Sequence, residues 1–175
     1  LRDPQSSPDH GLAENWKASS SIGGNPGESA KAMSFEEWQV TNFSKSELDN
    51  ASISGPSANP DKDTLTNLEE FLSGSGPKSF DPSNALLNIN VEPSKGGNQE
   101  SLQNAMIQIK LNSEARNSVS WKILVSQDGA NWSDALSLLN FIETKGLDNG
   151  NEIVVYKIKD PSKHERLLFK IETTQ

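Results

Sequence analysis

Apolar residues recur at two different spacings along the chain, and the change of spacing divides it into two parts. Between residues 34 and 73 they recur three or four positions apart, as on one face of a helix. Ser34 followed by Glu37 forms a capping box, which marks a helix start. We therefore predict two short helices within 34–50 and a third over 65–73, joined by turns between 51 and 60.

Beyond about residue 85, apolar residues alternate with polar ones, as in half-buried strands. The clearest run is Val119, Trp121, Ile123 and Val125. Stretch 134–142 is ambiguous, because it fits either a strand or a single helical turn. Short runs at this spacing predict five or six strands in an antiparallel β-sandwich. The other alternating runs begin at Leu87, Ala105, Ile153 and Leu167.

The composition of the chain changes at the same places as its apolar spacing. Residues 1–33 are rich in Ser, Pro and Gly and show no sustained period, which predicts a linker or the remnant of a preceding domain. Trp16 is the one residue there suited to docking on a neighbouring domain. Residues 34–80 are predicted to form the helical unit, and residues 81–175 the β-sandwich.

Composition also excludes several classes of function. The formal net charge is -8, which argues against a nucleic-acid surface, and no apolar run is long enough to span a membrane. The chain has no Cys, so it has neither disulfides nor a thiolate zinc site. With only two His, it offers little for a catalytic triad. We therefore expect that the protein is not an enzyme.

The acidic stretch from Asn59 to Glu70 has the ligand spacing of an EF-hand-type calcium loop. Oxygen-bearing side chains occupy its first, third, fifth, ninth and twelfth positions, and the seventh needs only a backbone carbonyl. A hard cation prefers such oxygens, so we predict that Ca2+ is the cofactor. The predicted ligands are Asn59, Asp61, Asp63, Leu65 (through its carbonyl), Asn67 and Glu70. The predicted fold is mainly β with a small α unit, an EF-hand-like helix-loop-helix followed by the sandwich.

Two residues of the loop depart from that pattern. Thr64 stands at the sixth position, normally Gly, where a left-handed backbone would cost a β-branched residue about 1–3 kcal/mol. Lys62 adds a positive charge to the loop. The alternative hypothesis is an acidic linker that caps a helix at Thr66 or Asp63.

The segment from Ser34 to Pro77 resembles a segment of large secreted proteins from planctomycete and verrucomicrobial bacteria. That segment contains a loop like those of dockerin and thrombospondin type-3 repeats. This sequence differs from the pattern of that segment at Asn59, Lys62, Thr64 and Phe71. The matching residues are Phe35, Trp38, Phe43, Glu47, Leu48, Ser54, Gly55, Pro56, Asp61, Asp63, Leu65, Asn67, Leu68, Glu70, Gly74 and Pro77.

Both flanks are similar to neighbouring modules in such proteins. The stretch around Trp16 and Gly23 is similar to the end of a lamin-tail-like domain, and the stretch 119–132 to a following β module. The resemblance implies secretion, with an extracellular or cell-surface location, and modules without an established activity of their own.

Trp132 is a possible ligand contact outside the loop, since an aromatic face suits the apolar side of a pyranose. It follows Ser126, Asp128 and Gly129 in an order similar to an Asp-box turn, although the spacing is one residue short. The alternative is a hairpin with Trp132 tucked beneath it.

Three hypotheses of function follow. The first is a non-catalytic, calcium-stabilised structural or interaction module at the C-terminal end of a multidomain bacterial protein. Its partners would be the rest of a larger polypeptide or neighbouring surface subunits. The second is a carbohydrate-binding accessory module of a secreted polysaccharide-degrading enzyme, with a glycan as partner. The third, an enzyme domain, has no supporting constellation of residues.

Overall fold

The helices precede the strands along the chain, as predicted. The computed structural model describes residues 32–82, 85–91, 105–147, 150–164 and 166–174. The predicted linker, with Trp16, lies outside the described residues except for positions 32 and 33. Within these ranges there are four short α-helices, α1 (Phe35–Asn42), α2 (Lys45–Leu48), α3 (Ala51–Ser54) and α4 (Asn67–Ser73).

Side-chain caps explain where these short helices begin. At α1, the Ser34 hydroxyl accepts a hydrogen bond from the Glu37 amide (3.2 Å), and the Glu37 carboxylate accepts one from the Ser34 amide (3.0 Å). The two helices predicted within 34–50 are therefore confirmed. The prediction of turns alone over 51–60 is wrong at α3, where the Asn50 side chain caps a four-residue helix.

The strands form two antiparallel sheets, which confirms the mainly β, antiparallel prediction. The four-stranded sheet has the order β1-β2-β6-β5, and the three-stranded sheet has the order β4-β3-β7. Ambiguous stretch 134–142 contains the end of β4, a 3₁₀ turn and the start of β5. The strands are β1 (Leu87–Val91), β2 (Ala105–Asn112), β3 (Ser120–Ser126), β4 (Ser133–Asp134), β5 (Leu139–Gly146), β6 (Asn151–Ile158) and β7 (Leu168–Thr174).

A single hydrophobic core joins the helices to both sheets. On α4, Phe71 and Leu72 are fully buried and face the core with the inward residues of β2. The Phe71 ring contacts those of Phe35 and Trp38, with centroids 5.7 and 5.8 Å away. The inward residues of β2 are Ala105, Ile107, Ile109 and Leu111. The residues from Ala32 onward form one compact unit.

None of the helices in the described ranges is long and apolar enough to cross a membrane. The longest, α1, has eight residues.

Gly74 ends α4 in a left-handed conformation (φ 71°), and a Cβ there would lie 2.3 Å from Oδ1 of Asn151 on β6. We predict that Gly74→Ala lowers the free energy of unfolding by about 1–3 kcal/mol, through backbone strain and this clash. Urea denaturation measures the change.

The matched control is Gly76→Ala, because a Cβ at Gly76 would meet no atom within 4 Å. That variant should stay within about 0.5 kcal/mol of the parent chain. Equal stabilities for the two variants would contradict the assigned contact between α4 and β6.

Candidate metal centre

Three carboxylates meet where the loop after α3 enters α4. Asp61 and Asp63 lie in the loop, and Glu70 lies in the first turn of α4. Each offers one oxygen, and these oxygens all lie within 4.8 Å of one another. Glu70 is fully buried, so the cluster reaches into the core rather than lying on the surface.

Each aspartate uses one oxygen to hold the loop and keeps the other without a partner. Oδ1 of Asp61 accepts a hydrogen bond from the Asp63 amide (3.2 Å), and Oδ1 of Asp63 accepts one from the Leu65 amide (2.7 Å). Among the described residues, the Oδ2 atoms of both aspartates are buried without a hydrogen-bond partner, as are both carboxylate oxygens of Glu70. Such buried oxygens are costly unless a cation or a proton satisfies them.

Asn67 adds a fourth side chain with an unsatisfied oxygen. Its Nδ2 donates to the carbonyls of Ile53 (2.8 Å) and Gly55 (2.9 Å), at the end of α3. Since these bonds fix the orientation of the amide, its fully buried Oδ1 is left without a partner. The amide therefore ties α4 to α3 and also supplies a possible ligand. The spacing of the loop predicted the ligand but not this tie.

The remaining predicted ligands have roles of a different kind in the described contacts. Oδ1 of Asn59 accepts from the Lys62 amide (2.7 Å), and its Nδ2 donates to the Asp63 carbonyl (3.0 Å), which closes the loop. The side chain of Leu65 is buried in the core. The ligand roles of Asn59 and of the Leu65 carbonyl stay predictions.

The strained residue of the loop is Lys62, not Thr64. Lys62 has a φ of 63°, and in the part of the chain described here the only other non-glycine residue with a positive φ is Asp160. The expectation of left-handed strain at Thr64 is therefore wrong. The Asn59 side chain accepts a hydrogen bond from the Lys62 amide. The sharp turn of the loop is therefore at Lys62, two residues earlier than in the EF-hand pattern.

The electrostatics of the cluster call for a cation or a proton. Burial, followed by the charges of Asp61 and Asp63, raises the pKa of Glu70 to about 8. None of the ion pairs between described residues includes any of the three carboxylates. All the available donors are oxygens, as a hard cation prefers. The cluster could therefore hold a metal ion.

A helix cap alone does not account for these residues. Thr66 does cap α4, and Glu69 completes the capping box by accepting from the Thr66 amide (2.8 Å). Asp63 instead accepts within the loop, and Glu70 takes no part in the cap. The capping hypothesis thus explains Thr66 and leaves the buried carboxylates without a role.

Trp132 lies in the turn between β3 and β4, half-buried. Its indole N–H donates to the Gly129 carbonyl (3.1 Å), and the ammonium of Lys170 lies 4.5 Å from its ring centroid. The Asp128 carboxylate accepts hydrogen bonds from the backbone amide and the side chain of Asn131 and from the Ala130 amide, which hold the turn and keep the pKa of Asp128 well below its usual range. These contacts give the indole a structural role, and its role in ligand binding stays a prediction.

Comparison of the chain with protein-family models, with curated proteins and with solved structures finds no match. The resemblance stated from the sequence therefore stays a prediction. The case for a metal centre rests on the geometry of Asp61, Asp63, Asn67 and Glu70 alone.

The raised pKa of Glu70 predicts a pH-dependent stability when metal is removed by a chelator. Between the ordinary value of 4.5 and about 8, the folded chain keeps a proton that the unfolded chain has lost. The contribution is complete below pH 4.5 and is lost as the pH rises towards 8. The free energy of unfolding should therefore fall across this window, and Glu70→Gln should flatten the fall.

Urea denaturation at several pH values measures both slopes. Glu69→Gln is the control, because it removes the neighbouring carboxylate and keeps a side chain that completes the cap. If Glu70→Gln and the parent chain lose stability equally between pH 5 and pH 8, Glu70 does not hold the proton.

The left-handed backbone at Lys62 predicts which position of the loop favours glycine. We expect Lys62→Gly to exceed Lys62→Ala in stability by about 1 kcal/mol, because both remove the charge and only glycine relieves the strain. At Thr64 the order should reverse, with Ala more stable than Gly by about 0.5–1 kcal/mol. Denaturation in chelator tests both pairs, and the opposite ranking would place the turn at Thr64 after all.

Proposed function

We propose that this chain is a non-catalytic structural or interaction module stabilised by Ca2+. The observation that carries the proposal is the convergence of Asp61, Asp63 and Glu70, with buried oxygens that lack partners. A fold without a cation at this place must protonate Glu70 or bear the repulsion among the three carboxylates. A bound cation removes both costs.

Calcium fits this donor set better than the other common metals. The candidates are carboxylate, amide and carbonyl oxygens, with no His or Cys among them, which disfavours zinc. Ca2+ takes six to eight oxygens in flexible geometry, whereas Mg2+ requires a tight octahedron. The proposed ligands are Asp61, Asp63, Asn67 and Glu70, together with Asn59 and the Leu65 carbonyl.

The ion would fix the joint between the helices and the sheets. It would hold the loop to α4, whose Phe71 and Leu72 are fully buried in the common core. In this proposal α3, the loop and α4 act as an EF-hand-like helix-loop-helix beside a β-sandwich. The ion would then restrain the chain as a disulfide does in other small domains, and this chain has no Cys.

The proposed setting is extracellular or at the cell surface, within a larger bacterial polypeptide. Calcium sites of extracellular modules bind with dissociation constants of about 0.1–1 mM, an affinity that suits a loop carrying the charge and strain of Lys62. The partners in this proposal are neighbouring modules or surface subunits.

Thermal unfolding tests the proposal directly. At a Ca2+ concentration of about 100 times its dissociation constant, the folded state should gain roughly 2.7 kcal/mol, a rise in Tm of several degrees. Mg2+ at the same concentration should give a smaller rise. The double variant Asp61→Asn/Asp63→Asn should remove the effect of Ca2+.

The control is Asp49→Asn/Asp134→Asn, which makes the same chemical change at two exposed positions outside the cluster. It should keep the full response to Ca2+. An identical Tm for the parent chain in Ca2+ and in chelator, with no heat of binding in calorimetry, would refute the proposal.

A further inference from the structure

β5 is an edge strand that carries exposed apolar side chains. β5 lies at one end of the four-stranded sheet, and among the described strands it pairs with β6 alone. Phe141 is 59% exposed and Ile142 is 45% exposed, and Leu147, just beyond the strand, is 37% exposed. These are three of the seven large apolar residues exposed in the described part of the chain. Such a patch on a strand edge marks an interaction surface.

The hydrogen-bond pattern fixes which backbone groups of β5 face outward. The Leu147 amide donates to the Asn151 carbonyl (2.7 Å), so the polar backbone groups of Leu147 face the β6 side. Residues opposite one another in an antiparallel pair alternate between bonded and non-bonded, and the register is regular from Glu143 to Gly146. The N–H and C=O of Thr144 therefore face away from β6, and no backbone hydrogen bond joins them to another described residue.

The charges beside Thr144 are arranged so that β5 complements itself. We propose that β5 pairs with β5 of a second copy of this chain, antiparallel, about a two-fold axis at Thr144. Thr144 then exchanges both backbone hydrogen bonds with its counterpart. In this register Glu143 of each copy lies opposite Lys145 of the other, and the surface used is the same on both copies.

Other arrangements of the two strands lose this match. Parallel pairing in register places Glu143 beside Glu143 and Lys145 beside Lys145, and a shift of one residue separates the opposite charges. The bulge between Phe141 and Glu143 breaks the regular alternation of backbone groups before Glu143, so the proposed backbone pairing lies in the second half of the strand and the exposed Phe141 and Ile142 flank it. Within one copy, Glu143 and Lys145 form an exposed ion pair of 2.9 Å, which can be exchanged for the pairs across the axis at little cost.

Exchanging the charges of Glu143 and Lys145 in the full chain tests this pairing. The molar mass is measured by light scattering and by sedimentation at protein concentrations from about 1 to 300 µM. We expect a dimer of twice the 19.0 kDa chain mass. Glu143→Lys alone and Lys145→Glu alone each bring like charges together and should raise the dimer Kd at least tenfold. The double variant Glu143→Lys/Lys145→Glu should restore dimerisation.

Mixing the two single variants supplies the sharpest comparison. A chain with Lys at both positions faces a chain with Glu at both, so the mixture should form a heterodimer although neither variant dimerises alone. Thr144→Pro removes an outward N–H and should give a monomer whose Tm equals that of the parent monomer.

A parent chain that stays monomeric over the whole concentration range would overturn the proposal. A dimer whose Kd is the same in both single charge variants and in Thr144→Pro would overturn it as well, since the contact would then lie on another face.

Discussion

The rest of the structure depends on the carboxylate of Glu70, which is held inside the hydrophobic core. Glu70 precedes Phe71 and Leu72 on α4, and all three side chains are fully buried. Because the two apolar side chains fix the rotation of this short helix, Glu70 cannot turn towards water. Its charge must be met in place, by a cation shared with Asp61 and Asp63 or by a proton. Apolar packing and electrostatics are thus decided by the same seven-residue helix.

Much of the fold could be predicted from local patterns. The alternating strands were identified because one face of each packs on the core, as the buried side chains of β2 illustrate. β5 escaped a clear prediction because its edge position leaves Phe141 and Ile142 exposed, so burial does not alternate along it. Helix α3 was missed because four residues carry no apolar period, and its stability comes from the Asn50 cap and from the Asn67 amide.

The spacing of the acidic residues also predicted that Asp61, Asp63 and Glu70 lie close together, and they do. It could not locate the turn of the loop. The position of that turn depends on which backbone amide donates a hydrogen bond to the Asn59 side chain, and the donor is the amide of Lys62. The spacing also could not reveal that the side-chain amide of Asn67 donates to the carbonyls of Ile53 and Gly55, at the end of α3. Those two carbonyls come close to Asn67 only through tertiary packing.

The points at which the described chain enters and leaves its core have a mechanical consequence. Near the start, the Met33 amide donates to the Glu114 carbonyl (3.2 Å), in the connection between β2 and β3. At the end, Thr174 of β7 pairs with Ser120, the first residue of β3. Tension applied through these two points would first act on the hydrogen bond between Met33 and Glu114 and on the pairing of Thr174 with Ser120.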